Sequence, residues 1–222
     1  IDLDPQGNAS TGLGFLPRFR KSNTYQLLIG ENNIAKVVHE TEVPNLYIAP
    51  SSTDLYGAEI ELINIDRREF RLKTELSNCE GIYDYILIDC PPALGLLTVN
   101  ALVAAQAILV PLQCEFYALE GMSQLVKTIE RVRSAFNSVL KIQGIVLTMH
   151  DKRNNLSEMV ANDVRSYFGE KVYKTIIPRN VKVSEAPSYG RPILLYDVNC
   201  SGSKAYLSLA GEVIHQEKRL GI

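Results

Sequence analysis

The sequence predicts a doubly wound α/β fold, a mostly parallel sheet flanked by helices. Short runs of branched apolar residues recur along the chain, and longer stretches with three- and four-residue apolar spacing separate them. No repeat, low-complexity tract or Ser/Gly linker interrupts the alternation, so a single domain is expected over 1–222. Leu46–Ala49 is a weak strand candidate, and a helix is expected over about 67–78. Tyr83–Asp89, Ala107–Pro111 and Ile142–Leu147 are largely apolar on both faces, as strands covered by helices should be. Helices are expected between and around them, near 96–105 and 117–137. In the second, Leu119, Met122, Leu125, Val126, Ile129, Val132 and Phe136 form one apolar stripe. A helix near 155–168, a weak strand at Val172–Thr175 and a helix near 203–218 complete the reading. The last carries Tyr206, Leu209, Ala210, Val213 and Ile214 on one stripe.

Composition narrows the function. Of 222 residues 46% are apolar and 22% charged, which excludes a disordered, collagenous or coiled-coil chain. No window approaches the roughly 18 apolar residues of a membrane span, and the first residues lack a signal-peptide pattern, so a cytoplasmic protein is expected. Cys79, Cys90, Cys114 and Cys200 show no C-x-x-C spacing and read as reduced, mostly buried thiols. Net charge is −2, yet it divides unevenly: residues 1–110 hold 8 basic and 14 acidic side chains, leaving the rest net +4. The stretch 152–191 alone carries that +4, either as a basic face or as scattered solvated lysines.

Ligands on doubly wound sheets bind at the carboxyl ends of strands, so the acids there matter most. Asp89 follows the apolar run Ile86-Leu87-Ile88, and Pro91-Pro92 stop the ladder just beyond it. An acid at that position serves as a turn residue or, as at the Walker-B position of P-loop NTPases, holds magnesium through water. Asp2 and Asp4 lie on one side of an extended backbone, ahead of the turn-rich Pro5-Gln6-Gly7-Asn8. His39, His150 and His215 have no partner at a metal-ligand spacing.

Several motifs in order resemble the ParA family, in particular the chromosomal Soj-type partition ATPases: Asp2–Ser10 (DLDPQGNAS), Tyr83–Leu97 (YDYILIDCPPALGLL), Gln113–Gly121, Ile177–Pro187 and Gly190–Asp197. The resemblance runs from residue 1 to about residue 210. It implies a P-loop NTPase fold of the deviant Walker-A type and an ATP hydrolase using ATP and Mg2+. Such a protein dimerises on ATP, binds DNA without sequence specificity, associates with the nucleoid and is stimulated by a ParB-like partner. By the same resemblance Asp4 orients the attacking water, and Asp89 and Asp2 lie at the magnesium. Cys90, Pro91, Pro92 and Gly95 form switch II, Pro178, Arg179 and Asn180 border the adenine, and Arg153 and Lys182 contact DNA.

One departure is plain. The family's glycine-rich loop G-x-x-x-x-G-K-[ST], with its phosphate-binding lysines, occurs nowhere in these 222 residues; Gly7 and Gly12 are followed by Leu13. The chain is therefore expected to lack the family's first strand and P-loop helix, and to be N-terminally incomplete. Without them it is expected to be inactive on its own. Rival readings are a MinD-like membrane-positioning ATPase, a reductase like the nitrogenase iron protein with Cys90 and Cys114 as cluster ligands, and a non-catalytic DNA-binding fragment.

Overall fold

The computed structural model describes residues 1–220, with side chains as far as Glu217. The chain divides into two compact units. One comprises Ile1–Gln106, Val132–Val139 and Pro187–Pro192; the other takes the rest.

The first unit is mainly helical: α1 (Asn8–Gly12), α2 (Thr24–Ile29), α3 (Ile34–Val37), the paired short strands β1 (His39–Glu40) and β2 (Tyr47–Ile48), α4 (Leu55–Glu61), α5 (Arg71–Leu76) and α6 (Leu96–Ala104). Capping explains why α2 starts where it does. Asn23 accepts from the Tyr25 amide while the Gln26 side chain accepts from the Asn23 amide, a reciprocal capping box. Leu3, Leu27, Leu28, Leu55, Leu62 and Leu72 are fully buried and form the core of this unit. Asn100 stitches α6 to α5: its Oδ1 accepts from the Leu72 amide and its Nδ2 donates to the Arg68 carbonyl.

The Tyr83–Asp89 run does not form a ladder along its length, contrary to the sequence expectation. It is bridged only at Asp89, parallel to Asp2. Leu3 N–H donates to the Asp89 carbonyl at 2.9 Å, Asp89 N–H to the Ile1 carbonyl at 2.8 Å, and Asp2 N–H to the Ala49 carbonyl at 3.0 Å. A strand exists by virtue of its neighbours, and only Ile1–Leu3 lies alongside this segment in the bridge. The apolar side chains expected to be covered are correspondingly open, with Leu87 78% and Tyr85 56% exposed.

The second unit carries a parallel sheet in the order β3 (Ala107–Gln113), β4 (Lys141–His150), β5 (Val172–Pro178). Between these strands run α7 (Ala118–Ala135), whose last turn counts with the first unit, and α8 (Asn155–Phe168); α9 (Val181–Glu185), α10 (Ile193–Tyr196) and α11 (Ser201–Leu220) follow. β4 and β5 extend past their sequence-expected ends to His150 and Pro178. Ile145 and Leu147 on β4 pack with Met122 of α7 and Val160, Ala161 and Val164 of α8. On a second face Val146, Tyr173 and Ile177 meet Leu209 of α11. The expected α11 stripe is partly turned out: Leu209 is buried, while Tyr206 and Ile214 are exposed. Gly144 is required where it is, because any Cβ there would run into the Tyr173 ring.

Candidate functional site

Three carboxylates gather at one end of the first unit because the Asp2–Asp89 bridge places two strand-like segments side by side. Asp2 is buried, with 1% of its surface exposed. Its Oδ2 accepts from the Ser10 amide at 2.8 Å and the Ser10 hydroxyl at 2.6 Å, and its Oδ1 accepts from the Asp4 amide at 3.1 Å. Both oxygens are thus engaged in holding the turn that follows. Asp4 is half-buried; its Oδ1 accepts from the Gln6 amide at 2.9 Å and its carbonyl from the Gly7 amide at 2.9 Å. Gly7, at φ 66°, turns the chain into α1. Asp89 keeps much of its surface accessible, yet its carboxyl is held above the usual range, by burial first and then by the neighbouring charges of Asp2 and Asp4. Asp89 therefore lies within reach of both other acids.

The turn from Asp4 to Gly7 is braced from beneath by Arg20, a residue the motif reading passed over. Arg20 is 7% exposed and donates to the Gly7 and Phe15 carbonyls and to the Thr11 hydroxyl. Its partners stand 5 to 13 residues away in sequence. No spacing rule reveals such an arrangement.

Beyond Asp89, Cys90 is half-buried and its thiol is pushed up to about 11 by burial, with Asp89 adding to the rise, so it stays protonated near neutrality. The Pro91–Gly95 turn is tied to α6 by the Thr98 hydroxyl, which donates to the Ala93 carbonyl at 2.6 Å. Gly95 lies against the Glu59 carboxylate of α4, which would have to shift for a side chain there, and Glu59 accepts weakly from the Leu97 amide at 3.4 Å.

The remaining sequence-derived residues lie in the second unit, at the carboxyl ends of β4 and β5. Arg153 is almost fully exposed and forms a bidentate pair with Asp151, at 3.1 and 2.9 Å. That pairing draws the Asp151 carboxyl down to about 2, and Arg179 adds to the pull. Pro178 ends β5, the Arg179 amide donates to the His150 carbonyl at 2.9 Å, and Asn180 caps α9 by accepting from the Lys182 and Val183 amides. Lys182 pairs with Glu185 at 3.5 Å and stands 5.6 Å over the Tyr196 ring. Arg153 and Arg179 thus belong to adjacent loops, and Lys182 to the first turn of α9. His150 is buried and its Nε2 lies 3.2 Å from a Glu158 oxygen. Cys90 and Cys114 fall in different units, and among the described residues no group of three His, Cys, Asp or Glu is placed to hold a metal by itself.

Comparison with known proteins gives this geometry a family. A model of the AAA domain family AAA_31 matches residues 1–142. The chain is 57% identical over 220 residues to the chromosome partitioning protein ParA of Caulobacter vibrioides, covering 98% of this chain and 82% of that protein. The chain belongs to the ParA family. It is also 49% identical over 213 residues to the sporulation initiation inhibitor protein Soj of Bacillus subtilis, covering 96% and 84% of the two chains. Among solved structures, cobyrinic acid a,c-diamide synthase of Mycobacterium smegmatis with bound ATP analog and magnesium matches with a TM-score of 0.83 and 32% identity. That match covers all of this chain and 82% of the other. The cell division ATPase MinD of Pyrococcus furiosus shares the fold, with a TM-score of 0.77 and 24% identity over 96% and 84% of the chains. A P-loop NTPase-like α/β fold thus underlies this ParA-family chain, and its Asp2–Asp89 bridge lies within the span that the AAA_31 model matches.

The residues present fit one half of what such a fold binds. Asp4 and Asp89 are hard oxygen donors suited to a magnesium ion held largely through water, which needs only one or two carboxylates. They do not fit the triphosphate: the buried cation beside them, Arg20, is spent on carbonyls, and the 222 residues contain no lysine-bearing glycine-rich loop.

Proposed function

We propose that this chain is the body of a partition ATPase that moves a chromosome or plasmid. It would dimerise on ATP, bind DNA without sequence specificity and release it when a ParB-like partner stimulates hydrolysis. The observation that carries this reading is the bridge bringing Asp89 beside Asp2 and Asp4. When bound, Mg-ATP would supply the phosphoryl group and its electrophile. Asp89 would hold the metal's water shell, and Asp4, its carboxylate aimed by the Gln6 amide, would orient the attacking water. Asp2 would organise the turn rather than meet the metal, since Ser10 and the Asp4 amide occupy its oxygens. The Cys90–Gly95 turn, tied to α6 and touching Glu59, would pass the state of the nucleotide outward. Hydrolysis would require cationic phosphate ligands, and a lysine-bearing glycine-rich loop of that kind does not occur in these 222 residues.

DNA would be met by Arg153 and Lys182. Phosphate contacts of this kind are independent of sequence and weaken with salt. Arg179, with Pro178 and Asn180, would border the adenine. The MinD-like alternative asks for a free amphipathic membrane helix; α11 instead buries Leu209 against β5, and no helix among the described residues is long and apolar enough to cross a membrane. Arg153→Glu tests the DNA reading. It should weaken binding to duplexes of unrelated sequence alike and lower the salt slope by about one ion, with nucleotide-driven dimerisation unchanged. Unchanged DNA affinity, or liposome binding in its place, would refute it.

A further inference from the structure

Arg20 is buried, unlike the other arginines and lysines described in the first unit, and it pairs with no carboxylate directly. Its Nε donates to the Phe15 carbonyl at 2.7 Å, its Nη2 to the Gly7 carbonyl at 3.1 Å and to the Thr11 hydroxyl at 2.7 Å, and Nη1 points to the Ser51 carbonyl at 3.5 Å. Three chain segments are gathered by one planar fork, a task suited to a guanidinium and not to an ammonium. The fork fills the space where Gly7 would carry a Cβ, so the absence of a side chain at Gly7 and the position of Arg20 depend on each other. Beside it the Ser51 hydroxyl is fully buried without a partner of its own, while the Ser51 amide donates to the Ser10 hydroxyl that holds Asp2. Burial lowers the Arg20 pKa and Asp2 opposes that shift, so the two buried charges compensate across the turn.

We propose that Arg20 is the positioning residue of the Asp4 turn: by clamping the Gly7 carbonyl and Thr11 it fixes the Asp4–Gly7 turn from which the carboxylate is presented. The proposal rests on the reading of Asp4 as the group that orients the attacking water. Arg20 itself touches no reacting atom. The links run from its fork to the Gly7 carbonyl, from the Gly7 amide to the Asp4 carbonyl, and from the Gln6 amide to the Asp4 carboxylate. Slackening the clamp leaves every reacting group in the chain but frees the one whose placement sets the rate.

The test uses the native protein with Arg20→Gln, Arg20→Lys, Thr11→Val and Asp4→Ala, read by hydrogen exchange over residues 7–11, by ATP affinity and by single-turnover hydrolysis. Arg20→Gln should speed exchange of the 7–11 amides by about tenfold and slow the hydrolytic step by about tenfold while ATP affinity holds. Arg20→Lys should recover part of both, and Thr11→Val, the milder cut, should move both in the same direction by less. Unchanged exchange and rate in Arg20→Gln would overturn the proposal. So would a loss of affinity and rate together that Arg20→Lys does not relieve. If Asp4→Ala leaves the rate intact, it is the reading of Asp4 that fails; the exchange data then still decide whether Arg20 holds the turn.

Discussion

At the scale of single residues, the site is set by how three acids share one corner. Asp2 is satisfied by Ser10 and the Asp4 amide, so it is a structural acceptor, whereas Asp89 is left with unfavourable company. A carboxyl whose folded pKa is raised contributes stability that is complete below its unfolded value and fades as the pH rises through the folded value. Folding of the chain should therefore weaken as pH climbs above the ordinary value of 3.8, and Asp89→Asn should remove that decline. Because Asp89 is partly accessible, the gain at neutral pH should be small, no more than about 2 °C in Tm. A melting series from pH 4 to 8 on both proteins checks this; a Tm for Asp89→Asn that falls in parallel with the parent would contradict it. Asp89 was legible because it ends an apolar run, and Asp2 and Asp4 because they are acids two residues apart ahead of a turn-rich loop. The motif reading passed over Arg20, Ser10 and Ser51, whose roles arise from contacts between segments that no local pattern records.

Among the elements, the long periodic ones were legible and the short ones were not. The apolar stripe of α7, the runs of β3 and β4 and the helical stretch of α8 are local signals, and the structure places all of them within about three residues of their expected limits. Helices α1 to α4, each of 4 to 7 residues, are too short to show a period. The Asn23–Gln26 capping box was the one local mark of α2. The failure at Tyr83–Asp89 has the opposite cause: the run reads as a strand, but a ladder needs a neighbouring strand along its length, and this run is bridged only at Asp89, to Asp2. At the other end of the chain, β5 is covered by α11, where Glu212 accepts from the Lys174 and Thr175 amides at 2.7 and 2.9 Å. Burial alone would raise the Glu212 carboxyl, but these two amides outweigh it and hold it below the usual value. Its contribution is present above the unfolded value of 4.5 and is lost as the pH falls through the lower folded one. Glu212→Ala should cost about 1 kcal/mol near neutrality, discounted for partial exposure, and should flatten the acid side of the stability curve. Urea titrations at pH 7 and pH 3 that show equal losses would argue against this role.

For the whole molecule, charge and chemistry are divided between the two units. The acid cluster of Asp2, Asp4 and Asp89 lies in the first, and the basic loops at the ends of β4 and β5 lie in the second. Composition foreshadowed this, since the acidic excess sits in residues 1–110 and the basic excess in 111–222. The chain also leaves Leu87, Ile82 and Tyr85 exposed beside a cavity of about 670 Å3, lined by Ile1, Ile34, Leu46, Tyr47 and Tyr83 among others. With no cationic loop for phosphates, the isolated 222-residue chain should bind ATP no better than millimolar, about −4 kcal/mol. Calorimetry giving a micromolar Kd on that chain would show that other residues cradle the triphosphate.

In the proposed function, turnover depends on the Asp4 carboxylate. The most direct test is ATP turnover by the native protein and by Asp4→Ala, each alone, with DNA, and with DNA plus a ParB-like partner. The account predicts slow turnover that rises with both additions, and an Asp4→Ala variant that still dimerises on ATP and binds DNA but does not turn over. Equal turnover in the two proteins, or DNA binding indifferent to ATP in both, would contradict it and leave a non-catalytic DNA-binding role.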